Sequence, residues 1–202
     1  MNIHTIVLAA GEGSRMKSSK AKSLQRSGGK TMLEMICQTA GSISQKITLV
    51  VGYDKKSIIK ASKALNLDIN SCEQPEPIGT GDAVKHGISK VIDASKVLVL
   101  YGDVPLIKKE TLSNLINGCD NSLSILTTVL ENPFGYGRVK KDKSGNPIAI
   151  VEEKDASDKD REIKEIFTGI LCSTTTYLKE ALLEITSNNS AGEFYLTDIV
   201  SI

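Results

Sequence analysis

Five short segments of the chain carry residue types whose spacing suits work on phosphate. The first is Leu8-Ala9-Ala10-Gly11-Glu12-Gly13-Ser14-Arg15-Met16, an apolar run that ends in small residues and glycines. Backbone N–H groups in such a turn can approach a phosphate because no side chain stands in the way. The guanidinium of Arg15 can then grip phosphate oxygens in bidentate fashion. The second is Lys20-Ala21-Lys22-Ser23-Leu24: a lysine on a mobile loop can fold over a triphosphate and neutralise charge that develops during transfer. The third runs from Gln74 to Ala83, where Gly79 and Gly81 flank Thr80 and open a helix. A helix N-terminus favours anions, Thr80 is a good N-cap, and the Gln74 amide, both donor and acceptor, suits the edge of a base. The fourth is Tyr101-Gly102-Asp103-Val104-Pro105, a carboxylate directly behind a hydrophobic run. An Asp at the carboxyl end of a strand is well placed to hold Mg²⁺, which keeps several waters and takes one or two carboxylates beside phosphate oxygens. In the fifth, Gly137 permits close backbone approach to a ligand, and Glu152, beyond a hairpin, can accept hydrogen bonds from sugar hydroxyls.

Two familiar phosphate motifs are excluded. A dinucleotide-binding GxGxxG needs glycine where Met16 stands. Gly29-Lys30-Thr31 matches the tail of a Walker A loop, but Leu24 occupies the required upstream glycine and the preceding strand ends some twenty residues earlier. His4 falls in a strand and His86 on a helix, and neither is read as catalytic. Cys37, Cys72, Cys119 and Cys172 form no CxxC pair, which reads as free thiols in a reducing compartment rather than a zinc site or a disulfide framework.

These segments need a scaffold, and the hydrophobic pattern supplies one. Apolar runs at Ile3–Ala9, Lys46–Val51 and Lys96–Leu100 read as buried parallel strands, with a shorter strand near Ile69–Cys72. Helical spacing is predicted over Thr31–Thr39, Lys55–Leu65 and about Thr80–Val91. Alternation of this kind implies an α/β fold with a doubly wound, mostly parallel, Rossmann-like sheet. After Ser122 the pattern turns β-rich. Strands are predicted at Leu123–Leu130, at Val139–Lys143 and Pro147–Glu152 around a Ser144-Gly145-Asn146 turn, and at Ile163–Cys172, before a helix over Thr175–Ile185. One domain with a nucleotide-binding half (about 1–121) and a smaller acceptor-binding half (about 122–202) is the simplest organisation.

Composition narrows the class. The 202 residues can bury a sizeable core. Lys and Arg total 25 against 24 Asp and Glu, a balance that argues against a nucleic-acid or membrane-surface partner. No apolar run approaches bilayer length and no leader is evident, so a cytoplasmic chain acting on small molecules is expected.

In order, LAAGEGSRM, Lys22, GTGDA, YGDVPL, GYGR, VEEKDA, TGIL and GEFYLTDI resemble the pyrophosphorylase domain of the bacterial bifunctional N-acetylglucosamine-1-phosphate uridyltransferase/glucosamine-1-phosphate acetyltransferase, within the sugar nucleotidyltransferase superfamily. The resemblance implies transfer of a uridylyl group from UTP to N-acetylglucosamine-1-phosphate, for cell-wall precursor synthesis. It implies that Leu8, Ala9, Ala10, Gly11, Gln74, Gly79 and Thr80 hold the nucleotide and that Arg15 and Lys22 are catalytic. By the same token Asp103 binds Mg²⁺, Tyr101 and Gly102 line the sugar-phosphate wall, and Gly137 and Glu152 contact the sugar. Three departures are visible: Ala21 replaces the usual proline before the lysine, Phe167 replaces an asparagine before TGIL, and Ile202 comes before the family's second metal ligand. They leave open a different sugar-1-phosphate, or a weak or inactive UDP-sugar-binding relative. They also imply a monomer without the acetyltransferase β-helix domain.

Overall fold

The computed structural model describes residues 2–13, 18, 20–92, 94–120 and 122–202. The chain opens with β1 (Ile3–Ala9), followed by a 3₁₀ turn at Lys22–Leu24 and a two-residue-strand hairpin, β2 (Arg26–Ser27) and β3 (Lys30–Thr31). Then come α1 (Met32–Gly41), β4 (Lys46–Val51), α2 (Lys55–Lys63), β5 (Ile69–Glu73), α3 (Thr80–Ile88) and β6 (Lys96–Tyr101). The second half holds α4 (Lys109–Asn117), β7 (Leu123–Val129), β8 (Arg138–Lys141), β9 (Pro147–Val151), α5 (Asp158–Arg161), β10 (Glu165–Thr174), α6 (Thr175–Glu184) and a 3₁₀ turn at Leu196–Val200.

β5, β4, β1 and β6 pair in that order, all parallel. Beyond β6 the sheet turns antiparallel. The second half of β10 pairs with β6, its first half meets β8, and β8 pairs with β9. β7 runs along the opposite side of β10, because Leu171–Ser173 pair with both β6 and β7.

Successive side chains of a strand face opposite ways, and the core follows that rule. Val7, Ala9, Leu49, Val51, Leu98 and Leu100 enter one core with Leu33 and Ile36 of α1, Ile58 of α2 and Leu112 of α4. Ile6, Val50, Val97 and Val99 enter the other with Val84 of α3 and Leu178 and Leu182 of α6. Helices therefore cover both faces, which is why the strands read as continuous apolar runs. Each fully buried Ile or Leu contributes roughly 1.5–3 kcal/mol, so these two layers dominate the stability of the sheet.

Local signals agree with the elements. Thr31 and Glu34 form a capping box: Thr31 Oγ1 accepts from Glu34 N–H at 3.1 Å, and Thr31 N–H donates to Glu34 Oε2 at 3.2 Å. The sequence reading differs in several places. The Gly-, Ser- and Lys-rich stretch from Gly11 to Lys30 reads as a loop by its polarity, but its described residues include the 3₁₀ turn and the β2–β3 hairpin, whose Gly28 and Gly29 take positive φ. α4 and α5 are unanticipated: Lys108 is not a capping residue type at the start of α4, and α5 is a single turn of four residues behind Ser157. A further difference is Gly79, which caps α3 in place of Thr80.

Candidate active site

β1, β4 and β5 are laid down outward on one side, and β6 returns to the other side of β1. Between β1 and β6 the winding reverses, and the carboxyl ends of four parallel strands open a crevice there. A cavity of about 320 Å³ occupies it. Leu8, Ala9, Ala10 and Gly11 form its floor, Gln74, Pro77, Gly79, Thr80 and Ala83 one wall, and Lys22, Tyr101, Gly102 and Asp103 another. Segments that begin nearly a hundred residues apart thus share one concavity. Arg15, with Ser14 and Met16 beside it, lies outside the described residues. Gly137 and Glu152 do not line this cavity.

Asp103 stands two residues past β6. Gly102 N–H donates to Leu8 O at 2.9 Å and prolongs the pairing just beyond the strand. Opposite, Lys22 Nζ lies 2.5 Å from Asp103 Oδ2, the two side chains 41% and 30% exposed. An ion pair this exposed is worth at most about 1 kcal/mol to folding, so its placement matters to the cavity more than to stability. Lys22 opens the 3₁₀ turn, and Ala21 before it is fully buried. Gly13, at φ 67°, has no side chain there, and a Cβ on it would stand 2.7 Å from Lys22 Cβ. Ser23 Oγ, buried in the lining, has no hydrogen-bond partner among the described residues.

Gln74 follows β5 directly and donates its N–H to Val51 O at 2.8 Å, which fixes it at the sheet edge. The side chain is buried, with Nε2 3.0 Å from Gly79 O and 2.8 Å from Asp82 Oδ2. Thr80 Oγ1 accepts from Leu196 N–H at 3.1 Å instead of capping its own helix. Its hydroxyl also meets the phenol of Tyr101, whose pKa burial pushes up. The Tyr101 ring packs on Gly169, which takes φ 89° at the bulge of β10; a Cβ there would stand 2.8 Å from ring atom Cε2.

Gly137 and Glu152 form a second group at the β8–β9 hairpin. A Cβ on Gly137 would lie 3.4 Å from both Glu152 carboxylate oxygens. Thr197 Oγ1 donates to Glu152 Oε1 at 3.0 Å, and burial holds the Glu152 carboxyl above the usual carboxylate range despite that bond. Phe167 donates its N–H to Gly137 O at 2.9 Å while its ring, 7% exposed, belongs to the second core.

Sequence reasoning missed Gly169, Thr197, Pro77, Ala83 and Glu193, the last three of which line the cavity. Gly169 sits in the TGIL segment and Thr197 in GEFYLTDI, but nothing local marks either as a neighbour of Tyr101 or Glu152. Gly29-Lys30-Thr31 serves the hairpin and the α1 cap, with Lys30 Nζ 3.0 Å from Gln38 Oε1 and outside the cavity. His4 is buried against Thr48 Oγ1 at 2.8 Å, and burial lowers its pKa. The four cysteines are free thiols.

The donor set suits a hard, partly hydrated cation. Asp103 offers one carboxylate to the cavity and already holds a positive charge there in Lys22 Nζ. No group of three or more His, Cys, Asp or Glu side chains gathers among the described residues, so the protein makes no cage there. Mg²⁺ needs none: a carboxylate, substrate phosphates and water suffice.

The chain matches the MobA-like NTP transferase domain over residues 5–154. It is 44% identical over 200 residues to the bifunctional protein GlmU of Neisseria gonorrhoeae, covering 98% of this chain and 43% of that one. With GlmU of Ruthia magnifica subsp. Calyptogena magnifica it shares 45% identity over 202 residues, covering 99% and 44%. The chain thus spans less than half the length of these relatives. A crystal structure of UDP-glucose pyrophosphorylase complexed with UDP-glucose superposes with a TM-score of 0.76 at 18% identity, over 100% of this chain and 86% of that one. No helix among the described residues is long and apolar enough to cross a membrane.

Proposed function

The chain belongs to the MobA-like NTP transferase domain family, and from that premise we propose that it transfers a uridylyl group from UTP to N-acetylglucosamine-1-phosphate, giving UDP-N-acetylglucosamine and pyrophosphate. The observation that carries this reading is the meeting of Lys22, Asp103 and Gln74 on one cavity at the switch point of the sheet. A phosphate-binding cation, a metal-binding carboxylate and a base-reading amide are the parts the reaction needs. The relatives named GlmU and the motif resemblance point the same way.

An oxygen of the acceptor phosphate attacks the α-phosphorus in line. The new P–O bond forms as the bond to the β-phosphate bridging oxygen breaks, and pyrophosphate departs. No covalent enzyme intermediate is required, so positioning and charge neutralisation supply the rate. Leu8 to Gly11 form a floor that lets the nucleotide lie close to the backbone, with Gly79 and Thr80 beside it. Lys22 leaves Asp103 for the polyphosphate and meets negative charge as it develops; Arg15 is assigned the same task. Asp103 holds Mg²⁺, which draws charge from the phosphate oxygens when bound. Tyr101 and Gly102 line the wall between the nucleotide and the sugar, and Gly137 and Glu152 receive the sugar hydroxyls. The family's usual substrates are small molecules, and a single chain is taken as the working unit.

A different sugar-1-phosphate is the second reading. Phe167 favours it, because the residue whose N–H meets Gly137 O carries an apolar ring, turned into the second core, that offers a sugar no hydrogen bond, and a site that lacks one polar partner discriminates strongly. The test is a pyrophosphate-release assay that crosses UTP and other nucleoside triphosphates with several sugar-1-phosphates, with and without Mg²⁺. Release from UTP only with N-acetylglucosamine-1-phosphate and Mg²⁺ supports the first reading. Release with another sugar selects the second, and none with any pair at high enzyme concentration ends both.

A further inference from the structure

We propose that Asp82 is a positioning residue that fixes which way the Gln74 amide faces, and thereby makes this nucleotide site select a base that carries an N–H at its pairing edge. The inference rests on the reading of the cavity as a nucleotide site. One end of the Gln74 side chain meets two atoms, Gly79 O at 3.0 Å and Asp82 Oδ2 at 2.8 Å. A backbone carbonyl and a carboxylate oxygen can only accept. Oxygen and nitrogen of an amide are often hard to tell apart by position, but here chemistry decides. With the amide turned over, its oxygen would face two acceptors and lose both hydrogen bonds. The NH₂ group must face Gly79 and Asp82.

The Oε1 of Gln74 is then left to the cavity that Gln74 lines, and no hydrogen bond to it is found among the described residues. An acceptor in that place pairs with the ring N–H of uracil. Cytosine presents a bare ring nitrogen there, so two acceptors would oppose each other in a buried setting. Such a mismatch is costly because neither group recovers the water it gave up.

The surroundings hold both members of the clamp. Gly79 has φ 127°, and a Cβ on it would stand 2.3 Å from Phe194 O, so the backbone that presents its carbonyl is fixed against residue 194. Asp82 sits in the first turn of α3, where the N-terminal N–H groups favour a negative charge. Its side chain is 16% exposed, with His86 Nε2 3.7 Å away on the side of the helix one turn on. A structural role at the start of α3 would need only the charge. The contact to Gln74 is what joins Asp82 to the base.

The experiment measures binding of UTP and CTP by calorimetry to the wild-type chain and to Asp82→Ala, Asp82→Ser, Asp82→Asn and His86→Ala, with thermal melts to report folding. In Asp82→Ala the ratio of UTP to CTP affinity falls about tenfold, the size of one lost charge-assisted hydrogen bond. Asp82→Ser withdraws the acceptor from Gln74 while keeping a polar residue in the first turn, and reads the same fall if the alanine variant does not fold. Asp82→Asn, whose carbonyl still accepts from Nε2, and His86→Ala keep the ratio within about twofold. Equal loss of both affinities, or an unchanged ratio, overturns the inference and leaves Asp82 a helix residue only. A wild-type chain that prefers CTP overturns it too. Because the readout is binding, it separates from turnover. A chain that favours UTP through Asp82 yet releases no pyrophosphate sinks the transferase reading alone, and an active transferase with a flat ratio sinks only the clamp.

Discussion

Lys22 Nζ lies 2.5 Å from Asp103 Oδ2, across 81 residues of sequence, and the pair stands on the wall of the cavity at the carboxyl ends of β1 and β6. In this arrangement the two side chains neutralise each other. The proposed reaction requires both to change partner, the ammonium to phosphate and the carboxylate to a divalent ion. Lys22→Ala and Asp103→Ala are each expected to lower kcat/KM for pyrophosphate release about 10²- to 10³-fold. The stability change in either should stay under about 1 kcal/mol, because the pair is well exposed. Urea titrations beside the assay check both halves. Loss of folding in proportion to loss of activity would turn this pair into a structural strut.

Gly79→Ala should behave in the opposite way. The substitution meets Phe194 O at 2.3 Å and Phe194 N at 2.6 Å, at a φ of 127° that L-residues avoid. Backbone must move, and a cost of about 2 kcal/mol or more is expected. A shift of the urea midpoint of less than about 0.5 kcal/mol equivalent would mean that residue 194 yields easily.

Glu152→Gln tests the acceptor side through pH. Burial raises the Glu152 carboxyl above its ordinary value, so the folded chain holds that proton more tightly than the unfolded chain does. Its contribution to stability is therefore full below the unfolded value of about 4.5. It is lost as pH rises through the higher folded value. Glutamine keeps an oxygen to accept from Thr197 and never ionises. Melts are expected to show Glu152→Gln above wild type at pH 7, with the difference shrinking as pH falls below the ordinary carboxylate range. A variant less stable at every pH contradicts this.

Phe167→Asn should cost about 3 kcal/mol, comparable to emptying a buried aromatic site, because the ring belongs to the second core. If the amide faces the sugar, kcat/KM for N-acetylglucosamine-1-phosphate should rise relative to glucose-1-phosphate. An unchanged ratio in a folded variant would place the acceptor elsewhere.

The bounds of β1 and β4 were legible from sequence because strands buried on both faces are apolar at nearly every position. The position of Asp103 was legible for the same reason, since a carboxylate behind such a run lands at the carboxyl end of the sheet. The turn that carries Lys22 was not legible, because the burial of Ala21 and the closeness of Gly13 are tertiary facts. Thr80 looked like a helix cap by type, yet Leu196 claimed its hydroxyl from 116 residues away. Thr197 and Gly169 carry no local signal at all. What they do depends on Glu152 and Tyr101, which only the folded chain brings to them.

β1 is laddered along nearly its whole length to β4 on one side and β6 on the other. Its amides are thus the last that solvent can reach, and in a hydrogen-exchange experiment they should open only with the whole molecule. The cavity floor borrows that rigidity, while its rim, built from turns around Lys22 and Gly79, exchanges through local opening. Occupancy should therefore slow exchange at the rim and leave β1 as it was, so that a protection map alone outlines where the nucleotide lies.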